Sequence, residues 1–307
     1  MPEYVNCNIC GKDDTDLLFS VRDRNFELPG EFNLVKCREC GLMYLNPRPT
    51  KIEINDYYPK EYGSHKAWNS SSVIKRKFLH SYYQLSFNKD LRPLKNLPIK
   101  GKMLDVGCGG GGYLKILNDA GWDTYGVDVS PVATEHARLF GLNKIFTGEL
   151  QDANYSNDYF DVVLMRHSLE HMHDPLKCLN ESNRILKING TLMVVVPNMD
   201  SLEAKLFGEY WSQIDAPRHL YFFNKETLKK ILEKANFKLT NFTYSPKLFL
   251  SFSKSLIYRS DNKFVKKIIS NAIFHVISYI LFWPLHRKTS IVVFCSKNQF
   301  IYPTIRR

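Results

Sequence analysis

Acidic residues are almost absent from the last fifth of the chain. From Ser245 to Arg307 there are eleven Lys and Arg but a single acid, Asp261, and this region carries nearly all of the net charge of +11. The remainder is therefore close to neutral, which argues against general coating of nucleic acid. A localised anionic partner of the C-terminal region is the better prediction.

The N-terminus lacks the features of a secretory leader. Residues 1–6 have no basic start and no apolar run, so no signal peptide is predicted. We expect a cytoplasmic protein whose seven cysteines act as metal ligands, core residues or free thiols rather than disulfides. The length predicts one main domain with additions.

Four cysteines form two matched pairs, Cys7-x-x-Cys10 and Cys37-x-x-Cys40, each followed by glycine. Two such turns supply four soft ligands in tetrahedral geometry, which suits a structural Zn²⁺. The pattern predicts a zinc-ribbon module at residues 1–63 whose small core depends on the metal for folding energy. Unmetallated thiols in a degenerate module are the alternative. The segment has no basic stripe, so we expect no nucleic acid on it.

A strand, a glycine loop and a helix follow one another over residues 102–120. The literal pattern Gly107-x-Gly109-x-x-Gly112 also fits dinucleotide folds. Asp105, two residues before the loop, departs from that pattern, because those folds usually keep an apolar residue there. Asp128 ends the next apolar run, at the spacing where a carboxylate reaches a ribose diol. An NAD enzyme, or an α/β domain with only a glycine turn, stays as an alternative.

Strand and helix patterns alternate through the central region, which predicts a parallel, doubly wound sheet. Ser130 and Pro131 favour a helix start there. The predicted strands are 103–106, 123–127, 144–147, 160–164 and 190–196, with 237–244 and 290–295 as a final antiparallel pair. The turn before the fifth strand is predicted at 187–190. Residues 64–100 are predicted as a linker and a helix before the first strand, where folds of this class often have a helix that covers the ligand.

Four motifs in this order resemble the class I S-adenosylmethionine-dependent methyltransferases over roughly residues 100–245. They are Leu-Asp-Val-Gly-Cys-Gly at 104–109, Gly-Val-Asp at 126–128, Phe-Asp-Val-Val at 160–163 and Leu-Glu-His at 169–171. The resemblance implies a Rossmann-like, seven-stranded sheet, mostly parallel with the last strand antiparallel, at residues 101–307. The ribbon and its Asn-Pro-Arg-Pro continuation resemble the N-terminal part of methyltransferases from bacterial sugar and surface-polysaccharide biosynthesis.

The resemblance also implies where S-adenosylmethionine binds. Asp105, read from its position alone, could hold the loop or take a ligand ammonium. By resemblance the cofactor residues are Gly107, Cys108, Gly109 and Gly111 around the methionine part, Asp128 on the ribose, Val129 on the adenine, Glu149 or Leu150 beside the adenine amino group, and Arg166 through its backbone.

Two histidines are the candidate catalytic residues. His171 follows the fourth strand, at the sheet edge where ligands bind, and could act as a base or orient its loop. His219 belongs to a second polar cluster with Arg218, which could bind a phosphate or close the loop as an ion pair. Tyr210 and Trp211 are further candidate substrate contacts. Positioning alone could also supply the rate of methyl transfer.

An insertion of residues 245–289 separates the last two predicted strands. Residues 264–288 combine an apolar helical stripe with flanking basic residues, a pattern typical of segments that lie on an anionic membrane surface. Packing against the core or a dimer partner is the alternative. A polar face and Pro284 argue against a spanning helix. We therefore expect a cytoplasmic protein, with a peripheral position on the inner face of the membrane.

The combined prediction is a methyltransferase acting on a nucleotide- or lipid-linked sugar in glycan assembly. One alternative is a small-molecule or quinone-like lipid acceptor. Another is a zinc-ribbon protein that binds nucleic acid and has a vestigial cofactor site; the near-neutral ribbon and core speak against it. The sequence leaves the acceptor, the methylated atom and the oligomeric state open.

Overall fold

A computed structural model describes residues 2–59, 94, 100–245, 250–270, 274 and 288–297. The predicted linker and covering helix at 64–100 lie outside these residues, apart from Leu94 and the final residue of the range. Much of the predicted membrane segment, 271–287, also lies outside them, apart from position 274.

The main sheet has seven strands and confirms the predicted fold class. Its order is β10-β11-β8-β7-β4-β5-β6. Strands β4 to β8 are parallel neighbours, whereas β11 runs antiparallel to both β8 and β10. The strands are β4 (Lys102–Val106), β5 (Asp123–Asp128), β6 (Ile145–Thr147), β7 (Phe160–Arg166), β8 (Leu186–Pro197), β10 (Phe237–Ser245) and β11 (Ser290–Lys297).

Helices connect the parallel strands, and several start at the residues that the sequence marks. Ser130 accepts from the Ala133 amide at the start of α2, and Asn224 forms a capping box with Thr227 at the start of α5. Each side chain satisfies a backbone donor that the helix itself leaves open. The described helices are α1 (Gly112–Asp119), α2 (Pro131–Leu139), α3 (Pro175–Ile185), α4 (Leu202–Phe207), α5 (Lys225–Lys234), α6 (Leu250–Arg259) and α7 (Lys263–Ile269).

Strand β8 begins four residues earlier than the predicted 190–196. Its pairing with β7 steps from Phe160↔Leu186 to Val162↔Thr191, so residues 187–190 lie opposite a single residue of β7. The predicted turn is therefore a wide irregularity within one strand. Lys187 pairs there with Asp161 at 2.7 Å, which ties the irregular segment to the strand it faces.

A second sheet joins the N-terminal segment to the main domain. Its order is β1-β2-β3-β9, with β1 (Thr15–Arg22), β2 (Glu31–Cys37), β3 (Met43–Leu45) and β9 (Tyr221–Phe222). The last of these strands comes from the methyltransferase-like region, and Tyr44 pairs with Tyr221. Buried residues of both regions, including Leu42, Tyr44, Leu220 and Phe223, share one hydrophobic core. The N-terminal module is thus packed as part of the main domain.

Among the helices that the structure describes, none has the length and apolar character needed to cross a bilayer.

Candidate active site

Backbone hydrogen bonds to the end of β5 hold the glycine loop between β4 and α1. The amides of Gly107 and Cys108 both donate to the Val127 carbonyl, at 2.8 and 3.1 Å. Gly107 has φ +79°, and a Cβ there would lie 2.5 Å from the Ser168 Cβ. Glycine is therefore required at this position for both backbone conformation and space. The thiol of Cys108 is buried.

Asp105 is the buried carboxylate beneath this loop. It is 4% exposed, and its Oδ1 has no hydrogen-bond partner in the part of the chain that the structure describes. Burial raises the pKa of Asp105 to about 7, although Arg166 opposes the shift. A buried acceptor without a donor is costly, so this atom is suited to receive a ligand's charged amino group.

Asp128 ends β5 and reaches back to the loop. Its Oδ2 accepts from the Gly109 amide at 2.8 Å and its Oδ1 accepts from the Ser130 amide at 2.9 Å. A carboxylate oxygen can accept more than one hydrogen bond, so this group suits a ligand diol. Val129, the next residue, is 68% exposed, which leaves an apolar surface beside the carboxylate where a flat ring could pack.

The remaining predicted cofactor residues take different positions. Leu150 is buried, at 3% exposure. Glu149 forms an ion pair with Lys51 of the N-terminal module, so its carboxylate closes a contact between the two regions. The Arg166 guanidinium lies 4.1 Å from the centre of the Tyr113 ring, beside the start of α1.

The four predicted zinc ligands converge. The Cys7 and Cys40 sulfurs lie 3.3 Å apart, and those of Cys10 and Cys37 lie 3.4 Å apart. All four sulfurs lie within 4.8 Å of one another. The glycine after each pair has positive φ, as the predicted turns require. Four converging thiols with no other donor type are the ligand set that a structural zinc prefers.

His171 and His219 meet at the carboxyl edge of the sheet, with ring centres 4.5 Å apart. The His219 Nδ1 lies 2.8 Å from the Gln213 carbonyl. A carbonyl can only accept, so Nδ1 carries the proton and the lone pair of the neutral ring is on Nε2. The His171 Nδ1 faces the Arg218 carbonyl and the Tyr58 hydroxyl, each at 3.0 Å, and a protonated Nδ1 satisfies both.

Arg218 is fully buried between two carboxylates. Its Nη2 lies 2.6 Å from Asp23 and 2.9 Å from Asp215, and its Nη1 donates to the Tyr57 carbonyl at 2.9 Å. Burial alone would raise the pKa of Asp215, but Arg218 overrides this and lowers it to about 2. Of the two predicted alternatives, the contacts of Arg218 therefore match the ion pair that closes the loop. Its nitrogens contact protein oxygens and do not face a substrate phosphate.

The predicted substrate contacts Tyr210 and Trp211 also face the protein. Trp211 is 1% exposed and its indole donates to Glu203 at 3.3 Å. The Arg24 guanidinium covers the Tyr210 ring at 4.5 Å. The indole of Trp211 therefore packs in the core, and a substrate contact through Tyr210 or Trp211 stays a prediction.

Sequence reasoning missed two partners of this cluster. Asp23 accepts a hydrogen bond from Arg218, which lies 195 positions later in the sequence. Glu170 has a carboxylate oxygen within 4.8 Å of a ring nitrogen of His171 and of His219. No local pattern marks Asp23, because its partner is determined by how the N-terminal module packs.

Known protein families and curated proteins include relatives of this chain. The model of a family described as a methyltransferase domain matches residues 78–241. A ubiquinone biosynthesis O-methyltransferase from Cereibacter sphaeroides is 27% identical over 186 residues, which cover 57% of this chain and 74% of the relative.

Solved structures share the fold. A SAM-dependent methyltransferase from Archaeoglobus fulgidus has a TM-score of 0.51 at 19% identity and covers 73% of this chain and 98% of that chain. The cyclase SpnF has the same TM-score and identity, with coverages of 81% and 97%. The fold alone therefore does not specify the chemistry, and the functional argument depends on the site residues and the family.

Proposed function

The chain belongs to the family of methyltransferase domains, and from this premise we propose that it methylates a sugar carried by a nucleotide or by a polyprenyl diphosphate. The methyltransferase activity itself follows from the family and its methyltransferase relatives. S-adenosylmethionine supplies an electrophilic methyl group on a sulfonium that leaves readily. The residues of this chain must bind the cofactor, exclude water and manage one proton.

The observation that supports the cofactor site is the uncompensated carboxylate of Asp105. Its buried Oδ1 without a described partner fits the ammonium of the cofactor's amino acid part. Asp128 and the exposed Val129 fit the ribose diol and the adenine ring. We assign the loop residues Gly107, Cys108, Gly109 and Gly111 to backbone contacts along the methionine part.

His219 is our candidate base, and His171 its neighbour in the acceptor pocket. The Gln213 carbonyl fixes the proton of His219 on Nδ1, so Nε2 can accept the proton of a sugar hydroxyl. The sugar oxygen then forms a bond to the methyl carbon while the carbon–sulfur bond breaks, and its electron pair stays on sulfur. A base positioned in this way contributes by general catalysis, and the His171 ring restricts where the hydroxyl can lie.

Support for a sugar acceptor comes from the N-terminal module. It places the Tyr58 hydroxyl 3.0 Å from the His171 Nδ1, so a ring from another part of the chain closes the site above the histidines. Polar aromatic rings of this kind suit a substrate with an apolar face and several hydroxyls. We propose that the Cys7, Cys10, Cys37 and Cys40 cluster holds a structural zinc that keeps this module folded.

The cofactor assignment is tested by calorimetric titration with S-adenosylhomocysteine. Asp128→Asn should weaken binding more than tenfold, because one carboxylate oxygen is needed for the Gly109 amide and the amide group cannot also accept at its nitrogen. Asp123→Asn is the matched control, since Asp123 starts the same strand at the opposite sheet edge. Equal binding by both variants would remove the ribose role from Asp128.

The acceptor is tested by following transfer of a labelled methyl group to three substrate sets: nucleotide sugars, sugars on polyprenyl diphosphate, and polyprenylated phenols. We expect label in one of the two sugar sets, and a loss of at least a hundredfold in kcat for His219→Gln with unchanged S-adenosylhomocysteine affinity. Label only in the phenols would contradict the sugar proposal and leave the methyltransferase activity intact.

A quinone-like acceptor is the second candidate, and one comparison favours it. The relative from Cereibacter sphaeroides is named for ubiquinone biosynthesis. A phenol also needs a base to become a nucleophile, so the histidine pair would serve both chemistries. The phenol arm of the experiment therefore decides between them.

A further inference from the structure

Helix α7 presents an apolar face to the outside of the molecule. Phe264, Val265 and Ile268 are 71%, 37% and 48% exposed, while Ile269 on the same helix is 6% exposed and faces inward. The three exposed residues are spaced so that they share one side of the helix. A large exposed aromatic beside two aliphatic side chains is a surface that water solvates poorly.

A second pair of exposed apolar residues lies nearby, on α4. Leu202 and Leu206 are 53% and 49% exposed. The Arg259 guanidinium, at the end of α6, reaches the Leu206 carbonyl at 3.5 Å. Helix α7 starts four residues after Arg259, and both α4 and α7 pack on α6.

Basic residues flank this face. Lys263, Lys266 and Lys267 occupy the neighbouring arc of α7, and Asp261 is the only acid in residues 250–270. None of the three lysines forms an ion pair with an acid among the residues that the structure describes. An apolar strip bordered by uncompensated lysines complements an anionic lipid surface, where headgroups neutralise the charges and the acyl region receives the apolar side chains.

A cavity lies at the basic edge of α7. Its volume is about 480 Å³, and its lining includes Arg22, Asp23, Arg24, Tyr258 and Lys266. Lys266 belongs to α7, whereas Asp23 holds the Arg218 that joins both histidines through its loop. The wall of the cavity therefore includes one residue of α7 and one residue of the buried ion pair.

We propose that α7, with the exposed leucines of α4, docks on an anionic bilayer and so brings this cavity to the level of the lipid headgroups. An acceptor whose diphosphate is anchored in the bilayer would then meet Arg22 and Lys266 in the wall of this cavity. The docking surface stands independently, but its use for a lipid-linked acceptor rests on the proposed function.

The test is sedimentation of the full-length protein with vesicles of phosphatidylcholine alone or with 30% phosphatidylglycerol (roughly the anionic content needed for a surface potential of tens of millivolts). Wild type should bind the anionic vesicles preferentially and less tightly at high salt. Lys263→Gln/Lys266→Gln/Lys267→Gln should lose more than tenfold in affinity. Phe264→Ser should lose binding even at low salt, because the apolar contact remains necessary.

Matched controls remove the same groups elsewhere. Lys12→Gln/Lys177→Gln/Lys229→Gln takes the same charge from exposed lysines away from α7, and Leu139→Ser removes an exposed leucine, 78% exposed, from α2. Both should bind vesicles as wild type does. All variants should bind S-adenosylhomocysteine normally, which shows that the fold is intact.

The docking proposal is overturned if the α7 variants sediment with anionic vesicles as wild type does, or if wild type does not bind these vesicles. Either result with normal S-adenosylhomocysteine binding leaves the proposed methyl transfer untouched. Conversely, vesicle binding by a protein that does not bind S-adenosylhomocysteine would support the docking surface and contradict the cofactor assignment.

Discussion

Two regions at the carboxyl edge of the sheet are assembled from the chain in different ways. We call them the cofactor edge, around Asp105 and Asp128, and the acceptor edge, around the two histidines. The cofactor edge draws Asp105, its glycine loop and Asp128 from two adjacent strands, and backbone amides fix their positions. The acceptor edge combines Asp23, Tyr58, His171 and Arg218, which lie far apart in sequence. One edge follows from local geometry, and the other exists only after the N-terminal module has docked.

This difference predicts different sensitivities. Contacts within a βαβ unit survive the loss of distant elements, whereas a buried ion pair between distant segments is costly when one partner is removed. The module should therefore control the acceptor edge more strongly than the cofactor edge. Four variants test that comparison, from the largest expected effect to the smallest.

Loss of one cysteine ligand should have the largest effect. Cys40→Ser leaves three thiols, and zinc binding of the order of 10 kcal/mol in small metal modules would be largely lost. We expect loss of bound zinc by mass spectrometry and a strongly lowered melting temperature. Cys178→Ala is the control, since Cys178 is a buried thiol outside the cluster. Equal destabilisation by both would show that the cluster is ordinary core.

Arg218→Met should destabilise the protein by about 3–5 kcal/mol, because it leaves buried Asp23 and Asp215 without their cation. Arg38→Met is the control, since that arginine pairs with Asp14 and Asp16 on the surface and should change stability little. Chemical denaturation measures both. The S-adenosylhomocysteine affinity of folded Arg218→Met should change less than its turnover.

The same ion pair determines a pH dependence. Arg218 lowers the folded-state pKa of Asp215 to about 2, below its unfolded value near 3.8. Its contribution is therefore fully present above about pH 4 and is lost as the pH falls towards 2. In Arg218→Met, burial would dominate and reverse the trend, so stability should fall as the pH rises above 4. If the ion pair were unimportant, unfolding titrations across this range would show the same slope of unfolding free energy against pH in Arg218→Met as in wild type.

Asp105→Asn should stabilise the cofactor-free protein and weaken its binding of S-adenosylhomocysteine. Burial raises the folded-state pKa of Asp105 to about 7 from 3.8, so ionisation costs stability progressively between about pH 4 and 7. At pH 8 the variant should gain a few kcal/mol, given about 1.4 kcal/mol per pKa unit. S-adenosylhomocysteine should bind more than tenfold less tightly. A variant that is less stable at pH 8 would contradict this account.

Glu149→Gln should have the smallest effect. Its partner Lys51 is more than half exposed, and exposed ion pairs contribute little. We expect S-adenosylhomocysteine affinity within about twofold of wild type and a normal melting temperature. A larger loss of affinity would indicate that Glu149 contacts the cofactor itself, as the resemblance implies.

Local patterns predicted the fold well where a few neighbouring residues determine the structure. The strand and loop around Asp105, the N-cap Ser130 and the final antiparallel pair lie close to their predicted places. The start of β8 was predicted too late, because Asn189-Gly190 is typical of a turn. In the structure, β8 pairs with β7 both before and after these residues, with an irregularity between. The contact of Trp211 with Glu203 could not be predicted, because the sequence around an aromatic residue is the same whether the ring faces a ligand or the core.

By itself, the sequence determined the class of enzyme, the glycine loop and the two Cys-x-x-Cys turns, because each depends on residues within one turn or one βαβ unit. Only the tertiary structure decided that Arg218 is neutralised by Asp23 and Asp215, that Tyr58 reaches His171, and that β9 completes the N-terminal sheet. Those contacts depend on which surfaces pack together. Burial then determines which charges must be paired, and no spacing along the chain encodes that.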